Sequence, residues 1–441
     1  MQLHRVHRSV GWVVVVCSLS ACADPAGDAG RVRATDAGAP DGGSTPAADG
    51  TVAADAGGAP AEGGAPPGTG YTSAASVDLS RAPDPPRTSS VIDLTAPITV
   101  SDTVTDVTYN VTAAIAGAAV NLTPTGRLER VVVRVNDLAD NGVAGPGTVR
   151  DVAVYDANAV GFYAVAHFEG AVVASHNAID FRLEGTGVTL APDAMLKSED
   201  ADHFGFYVWH LYDSHLDGAM VAIGAGTTSR DASATGFELW SDGQRNSFNI
   251  IISNANAGYG LAIYGGSAFN TIRELYADGA GGFDSDPGLS IGGGAHDNVI
   301  ERATIKRYVL GLIFGEDVDP PPYSNRVETL LVESTPYPGV IMDRGAYDNV
   351  VGAVGGATLT STGSPSPYQG SVFISNRPGQ TNAPPHGNQV LGLVQAGTEY
   401  VPRYAVYLGP GTTGNVVRGA ASSWSEAKEL DEGSGNEVSV P

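Results

Sequence analysis

Cysteine is almost missing: the 441 residues hold two, Cys17 and Cys22, both near the N-terminus. No disulfide framework can hold the fold, so a packed core must do it. Basic residues are scarce, with 24 Lys+Arg against 48 Asp+Glu and a net charge of -24. That balance excludes a nucleic-acid binder, which needs Lys and Arg to neutralise phosphates. It also repels an acidic polymer such as pectate or alginate, unless a cation or a local basic patch intervenes. No zinc pattern, glycine-rich phosphate loop or serine nucleophile elbow occurs. A sustained helical period is lacking too, the short SEAKELDE segment at 425–432 being the one exception.

What is there begins with an address. Arg5 and Arg8 precede an apolar run over 10–19, too short for the roughly 20 residues of a membrane-spanning helix. It ends in Leu19-Ser20-Ala21-Cys22. This order of basic, apolar, small and Cys resembles the lipobox of bacterial lipoproteins. The resemblance implies a signal peptide over 1–21, cleavage before Cys22 and diacylation of its thiol. Ala23 rather than Asp follows, which by the usual sorting rule implies the outer membrane. A membrane partner is therefore expected through a lipid anchor, several acyl chains holding far more firmly than one. Residues 22–88 are dominated by Ala, Gly, Pro, Asp and Thr, with little large and apolar to bury. Such a segment does not offset its chain entropy, and a disordered tether is expected.

From about residue 89 to 441 the pattern changes to short β-branched runs punctuated by Gly, Asn and Asp, as in LERVVVRV and TVRDVAVYDA. An apolar-x-apolar triplet and a polar link recur before an asparagine: Asn246, Asn270, Asn298, Asn325, Asn349, Asn388, Asn415 and Asn436. Successive gaps are 24, 28, 27, 24, 39, 27 and 21 residues. Phe237, Leu261, Leu289, Val340 and Val406 each stand nine residues before their asparagine. Leu312 and Val372 stand 13 and 16 before theirs, which reads as loop insertions of four and seven. Phe206 stands nine before His215, so the same coil is expected there with His in the Asn position. Two β segments per period without a helix resemble the right-handed parallel β-helix, the pectin-lyase-like architecture. The fold expected is thus all-β, a solenoid in which each coil buries its edges against its neighbours. Leucine-rich and propeller repeats would need LxxLxL or Trp-Asp punctuation, which is absent. An Asn at a tight bend can adopt a left-handed backbone, and stacked asparagines can bond one another.

Side chains alternate along a strand, so one outward row can be read coil by coil: Trp209, Trp240, Tyr264, Gly292, Gly315, Asp343, Ser375, Gly409. Tyr207 and Glu238 belong to the row beside it, with His210 and Asp242 just past the strand. Outward aromatics on a rigid face suit the apolar faces of sugar rings, so Trp209, Trp240, Tyr264 and Tyr207 are candidate polysaccharide contacts. Glu238 and Asp242 form the nearest carboxylate pair for glycoside hydrolysis, which requires two at a defined separation. A lyase needs a base to remove the proton alpha to a uronate carboxylate, and His210 or Tyr207 qualifies, but the positive partner is thin. Aromatic ladders also simply stabilise β stacks. A second outward row carrying Arg273, Glu301 and Glu328, with Lys306 and Glu333, reads as a surface charge ladder.

Three further fragments are weaker. The GLSIGG segment at 288–293 resembles polygalacturonase-like glycosidases, but Pro287 occupies the histidine position, and Asp284 and Asp286 sit beside it. Tyr212-Asp213-Ser214-His215 resembles the Asp-Pro-His-Asp signature of mannuronan epimerases, without its proline and final acid. Asp317-Val318-Asp319 offers carboxylates to Ca²⁺, but no calcium loop follows, and an acidic surface loop is expected. Two functions stand open: a polysaccharide-active surface lipoprotein of lyase or hydrolase type, and a non-enzymatic envelope scaffold, adhesin or binding module.

Overall fold

The computed structural model describes residues 70–87, 90–177, 179–225, 235–256, 258–279, 286–316, 320–397 and 399–441. Cys22, Asp284 and the Asp317-Val318-Asp319 loop lie outside the described residues. Two sheets, of 17 and 14 strands, alternate along the chain and are called here sheet A and sheet B. Every pairing within them is parallel, and each strand pairs with its counterpart one coil away, as Phe206↔Phe237, Phe237↔Leu261 and Leu261↔Leu289 show for sheet B. The molecule is a parallel β-helix. Among the described residues the only helical turn is a short 3-10 turn at Ala74–Ser76, and no helix is long and apolar enough to cross a membrane. The SEAKELDE segment contributes a strand, Ala427–Asp431, because it pairs with Tyr404–Leu408 of the preceding coil.

The core is a column. Phe162, Phe181, Phe206 and Phe237 stack at centroid distances of 5.1, 4.8 and 4.5 Å, nearly coplanar at 5°, 7° and 4°. The column continues as Leu261, Leu289, Leu312, Val340, Val372 and Val406, all fully buried. Leu312 and Val372 therefore keep register despite their longer arcs, as insertions in the loops require. The residue before each of these is small, in register as Gly205, Gly236, Gly260, Gly288, Gly311 and Gly339. Here sheet B begins against the end of sheet A. A Cβ on Gly205 would meet Ala222 at 2.8 Å, and one on Gly288 would meet Ile305 at 2.2 Å.

At the opposite bend stands the asparagine ladder. Each Asn Oδ1 accepts from both the backbone N and the Nδ2 of the preceding asparagine, at 2.9–3.2 Å from Asn246 to Asn349. Each Nδ2 also donates to a backbone carbonyl, as from Asn298 to Ser267 at 2.8 Å. The ladder bonds as the spacing predicts, but the left-handed residue is the one before it. Arg245, Phe269, Asp297, Ser324 and Asp348 have φ of +56°, +56°, +53°, +54° and +55°, and Gly387, Gly414 and Gly435 follow at +65°, +66° and +64°. The bend thus takes its turn one residue early and drives the asparagine inward, where its amide replaces water for the buried backbone.

Two expectations are corrected. His215 does not take the Asn position: Ser214 does, its backbone N donating to Asn246 Oδ1 at 3.1 Å, while exposed His215 pairs with Ser247. The turn after Trp209 is one residue shorter than that after Trp240, since Tyr212 bridges to Gln244. Part of the stretch expected as a tether over 22–88 is packed instead. Residues 70–81 pack on the outer face of sheet A, where Val77 is 8% exposed, because Tyr71, Val77 and Leu79 give this stretch the apolar side chains the rest of the segment lacks.

Candidate functional site

Sheet B turns its other face outward. One column on it reads Tyr163, Arg182, Tyr207, Glu238, Ala262, each beside the next in register. The neighbouring column reads Trp209, Trp240, then Tyr264, whose backbone N bonds Leu239 O at 2.8 Å. Rungs of a sheet are about 4.8 Å apart, so Arg182, Tyr207 and Glu238 are immediate neighbours although 56 residues separate the first from the last.

Arg182 is the residue that sequence reasoning missed. Its Cζ lies 5.1 Å from the Tyr163 ring, 5.7 Å from Trp209 and 5.9 Å from Tyr207. Its Nε meets Glu184 at 3.2 Å. Three rings around a guanidinium hold it by its charge against their negative faces and leave it little rotational freedom. The signal was present: Phe181-Arg182-Leu183 is the same apolar-x-apolar triplet as Phe206-Tyr207-Val208 and Phe237-Glu238-Leu239. It went unread because no asparagine marks that coil.

Tyr207 and Trp209 lean together at 5.4 Å, and His210 meets Trp209 edge-on at 5.0 Å. His210 has φ +47° and sits where the pairing with the preceding strand slips. Val208 and Leu211 both point into the core, so this bulge puts two consecutive side chains, Trp209 and His210, outside. Bulges often re-aim a side chain in this way beside functional sites. Tyr212 Oη lies 3.4 Å from His210 Nδ1.

Glu238 is partly buried and makes no hydrogen bond with the described residues. Desolvation alone pushes its carboxyl up to about 7. Asp242 adds no like-charge push, and it stands exposed in the left-handed turn after the strand, at φ +62°. Tyr264 occupies its predicted row but is only 5% exposed. Its ring lies over Gly292, where a Cβ would meet it at 2.9 Å, and its hydroxyl donates to Glu316 at 3.0 Å. The glycine that follows it in the row makes room for the ring to lie down, so its face is not open to a ligand. Asp286, one coil further, is raised to about 7 by burial and then by the charge of Glu316.

The site that remains is a partly exposed patch of Trp209, Trp240, Tyr207, His210, Arg182 and Glu238. It combines stacking surface, a fixed cation, an imidazole and a carboxyl poised near neutrality. The Tyr212–His215 segment is part of the bend instead, with Asp213 held by Arg245 at 2.6 and 3.0 Å. Among the described residues no group of three or more His, Cys, Asp or Glu is placed to hold a metal ion.

No protein-family model matches the chain, and no curated protein does. Among solved structures, the A-module of mannuronan C-5 epimerase AlgE6 from Azotobacter vinelandii is similar. It shares 14% identity over 79% of this chain and 87% of that one, with a TM-score of 0.23. That likeness is too low to carry an argument, and the β-helix rests on its own strand register. Of the second outward row, Lys306 and Glu333 pair between adjacent coils at 2.6 Å, whereas Arg273 donates to the Tyr71 carbonyl at 3.1 Å; the other cross-coil pair, Arg302–Glu274 at 3.2 Å, belongs to the row beside it.

Proposed function

We propose that the outer face of sheet B binds polysaccharide and processes it by base-catalysed elimination, on a protein anchored to the outer membrane through Cys22. The observation that carries this reading is the column Arg182–Tyr207–Glu238 beside Trp209 and His210. Trp209 and Trp240 would stack sugar rings. Arg182 would pair with a uronate carboxylate, which acidifies the adjacent C–H by withdrawing its charge, and it supplies the local positive charge that an acidic chain otherwise lacks. His210 or Tyr207 would take that proton. The electron pair closes a C=C bond as the glycosidic C–O bond breaks, and Glu238, half protonated near pH 7, would protonate the leaving oxygen. Hydrolysis, with Glu238 and Asp242 as its two carboxylates, is the alternative, and it makes no use of the Arg182 guanidinium that a uronate carboxylate would meet.

A purely binding role has one observation in its favour: Arg182 already has Glu184 as a partner, so its charge is partly spent. Incubating the full chain with uronate and neutral polysaccharides separates these readings. Unsaturated products from a uronate polymer, falling in rate as pH rises through about 7, are the expected result. Glu238→Gln should lower the rate by about 10²–10⁴-fold with binding retained. Reducing ends without unsaturation would mean hydrolysis, binding without products would mean a module, and no binding by any polymer would end the proposal.

A further inference from the structure

The chain that leads into the solenoid is fastened to it far from where the first strand begins. Val77 sits among Val172, Met195, Ala219, Val221, Ile250 and Ile252, side chains that sheet A turns away from the core. The Tyr71 carbonyl accepts from Asn249 Nδ2 and Arg273 Nη2, both at 3.1 Å. Arg81 Nη1 donates to the Tyr71 hydroxyl at 2.9 Å, and Lys197 Nζ donates to the Arg81 carbonyl at 3.3 Å.

These contacts fix a direction. Arg273 lies on strand Thr271–Asp278 and Lys197 on Met195–Glu199, three rungs back by way of Ser247–Asn254 and His215–Ile223. The first strand, Ser90–Leu94, is five rungs further back through Thr103–Val111, Arg127–Arg134, Thr148–Tyr155 and Val173–His176. At about 4.8 Å per rung, Arg81 stands roughly 24 Å from the first rung. Arg87 N donates to Asp106 Oδ1 at 3.0 Å on Thr103–Val111, one rung from the first. Residues 70–87 thus run down the outside of the solenoid against its winding, from the level of Arg273 to within one rung of the first strand.

In a solenoid each coil touches only its neighbours, so the end coil can peel away alone. We propose that residues 70–81 are a longitudinal clamp that fastens the incoming chain at the level of Arg273. A load from the N-terminal side meets the middle of the solenoid first and reaches the first strand only after the clamp undocks. The clamp also covers an apolar face that would otherwise be open to water.

The test is to stretch the full chain between its two ends in an optical trap. Undocking swings residue 70 from about 38 Å along the solenoid on one side of the first rung to as much as about 70 Å beyond that rung on the other. The first event should therefore be a gain of roughly 110 Å, larger than the coil-sized steps of about 80 Å that come after it. Val77→Asp and, separately, Arg273→Gln should remove or weaken that first event while the coil-sized steps persist, which shows that the solenoid itself is intact. Val77→Asp should also increase the fluorescence of an apolar dye. A wild-type trace that opens with a coil-sized step would overturn the clamp, as would variants whose traces match wild type.

Discussion

The coils before Phe206 and those after it are held by different devices. After Phe206, eight asparagines from Asn246 to Asn436 close each bend with amide bonds that repeat from coil to coil. Before it, among the described residues, only a short run of this kind occurs, Asn136 Nδ2 donating to Asn110 Oδ1 at 3.0 Å and Asn110 Nδ2 to Asp93 at 2.8 Å. The bends there rely on individual solutions, such as Asp151 accepting the backbone N of Ala171 and Val172, or Asp106 paired with Arg130. The core compensates with the phenylalanine column, and one polar group enters the glycine row: Asp180, between Gly161 and Gly205 in register, is fully buried. Regular bends need little from the core, whereas irregular bends leave the core to set the register. The candidate site lies on the boundary between these regimes, with Arg182 from the irregular coils and Glu238 from the regular ones.

The largest effect should come from breaking the irregular half at its core. Phe181→Ala removes a ring stacked on both sides and touched edge-on by Phe168 at 6.3 Å. A loss of about 3–5 kcal/mol is expected, read as a shift in denaturant midpoint. Because that column sets the spacing of Arg182 to Tyr207, the variant should also lose polysaccharide binding at temperatures where it remains folded.

In the regular half the ladder is the place to strike. Asn298→Ala leaves the Asn270 backbone N without its acceptor, takes one of two acceptors from Asn270 Nδ2, which keeps Gly243 O, and takes one of two donors from Ser267 O, which keeps His296 N. With a buried orphan costing about 1–3 kcal/mol and the other lost bonds adding to it, a loss of roughly 2–4 kcal/mol follows after relaxation. Asn436→Ala, at the partly buried last rung, should cost clearly less. Equal losses at both positions would show that the ladder does not act through burial.

The halves should also differ in pH response. Burial raises Asp180 to about 8, against the pull of hydrogen bonds from Ser198, Ser175 and Asn177. Its neutral form is the one the fold prefers. The stability it supplies is therefore complete below the unfolded value near 3.8 and is lost as pH rises through about 8. Denaturant midpoints measured across that range should fall with pH, and Asp180→Asn should flatten the fall. Glu238 and Asp286, each raised to about 7, leave a smaller slope of the same sign. An unchanged slope in Asp180→Asn would show that this carboxyl does not titrate as its burial implies.

The contrast explains what could be read from the sequence. Where each asparagine marks a bend, counting back nine residues locates an inward triplet, and alternation then names the outward rows down to Gly409. Where no asparagine stands, the period has no fixed origin, and Phe181-Arg182-Leu183 passes unnoticed although it has the same form. Alternation also says only that a side chain leaves the core, not that it reaches water. Tyr264 leaves the core and then lies flat over a glycine one coil away. The one-residue difference between the turns after Trp209 and Trp240 is likewise invisible without the pairing, so His215 was placed where Ser214 stands. Residues 70–81 were absorbed into their surroundings because three apolar residues hardly change the composition of a long polar segment.

The smallest effect separates outward from accessible. Trp240 is partly exposed and meets Tyr264 edge-on at 5.6 Å, whereas Tyr264 is covered. Trp240→Ala should weaken polysaccharide binding severalfold, since a stacked ring contributes on the order of 1 kcal/mol, with little change in stability. Tyr264→Phe keeps the ring but removes its bond to Glu316, so it should cost stability, by about 1 kcal/mol, and leave affinity unchanged. Binding isotherms and denaturant curves on the two variants would then move in opposite columns of the same experiment. If Tyr264→Phe lowered affinity as much as Trp240→Ala, the ligand would have to reach beneath the covered ring, and the binding face would centre on Glu316 and Ser290 rather than on the two tryptophans.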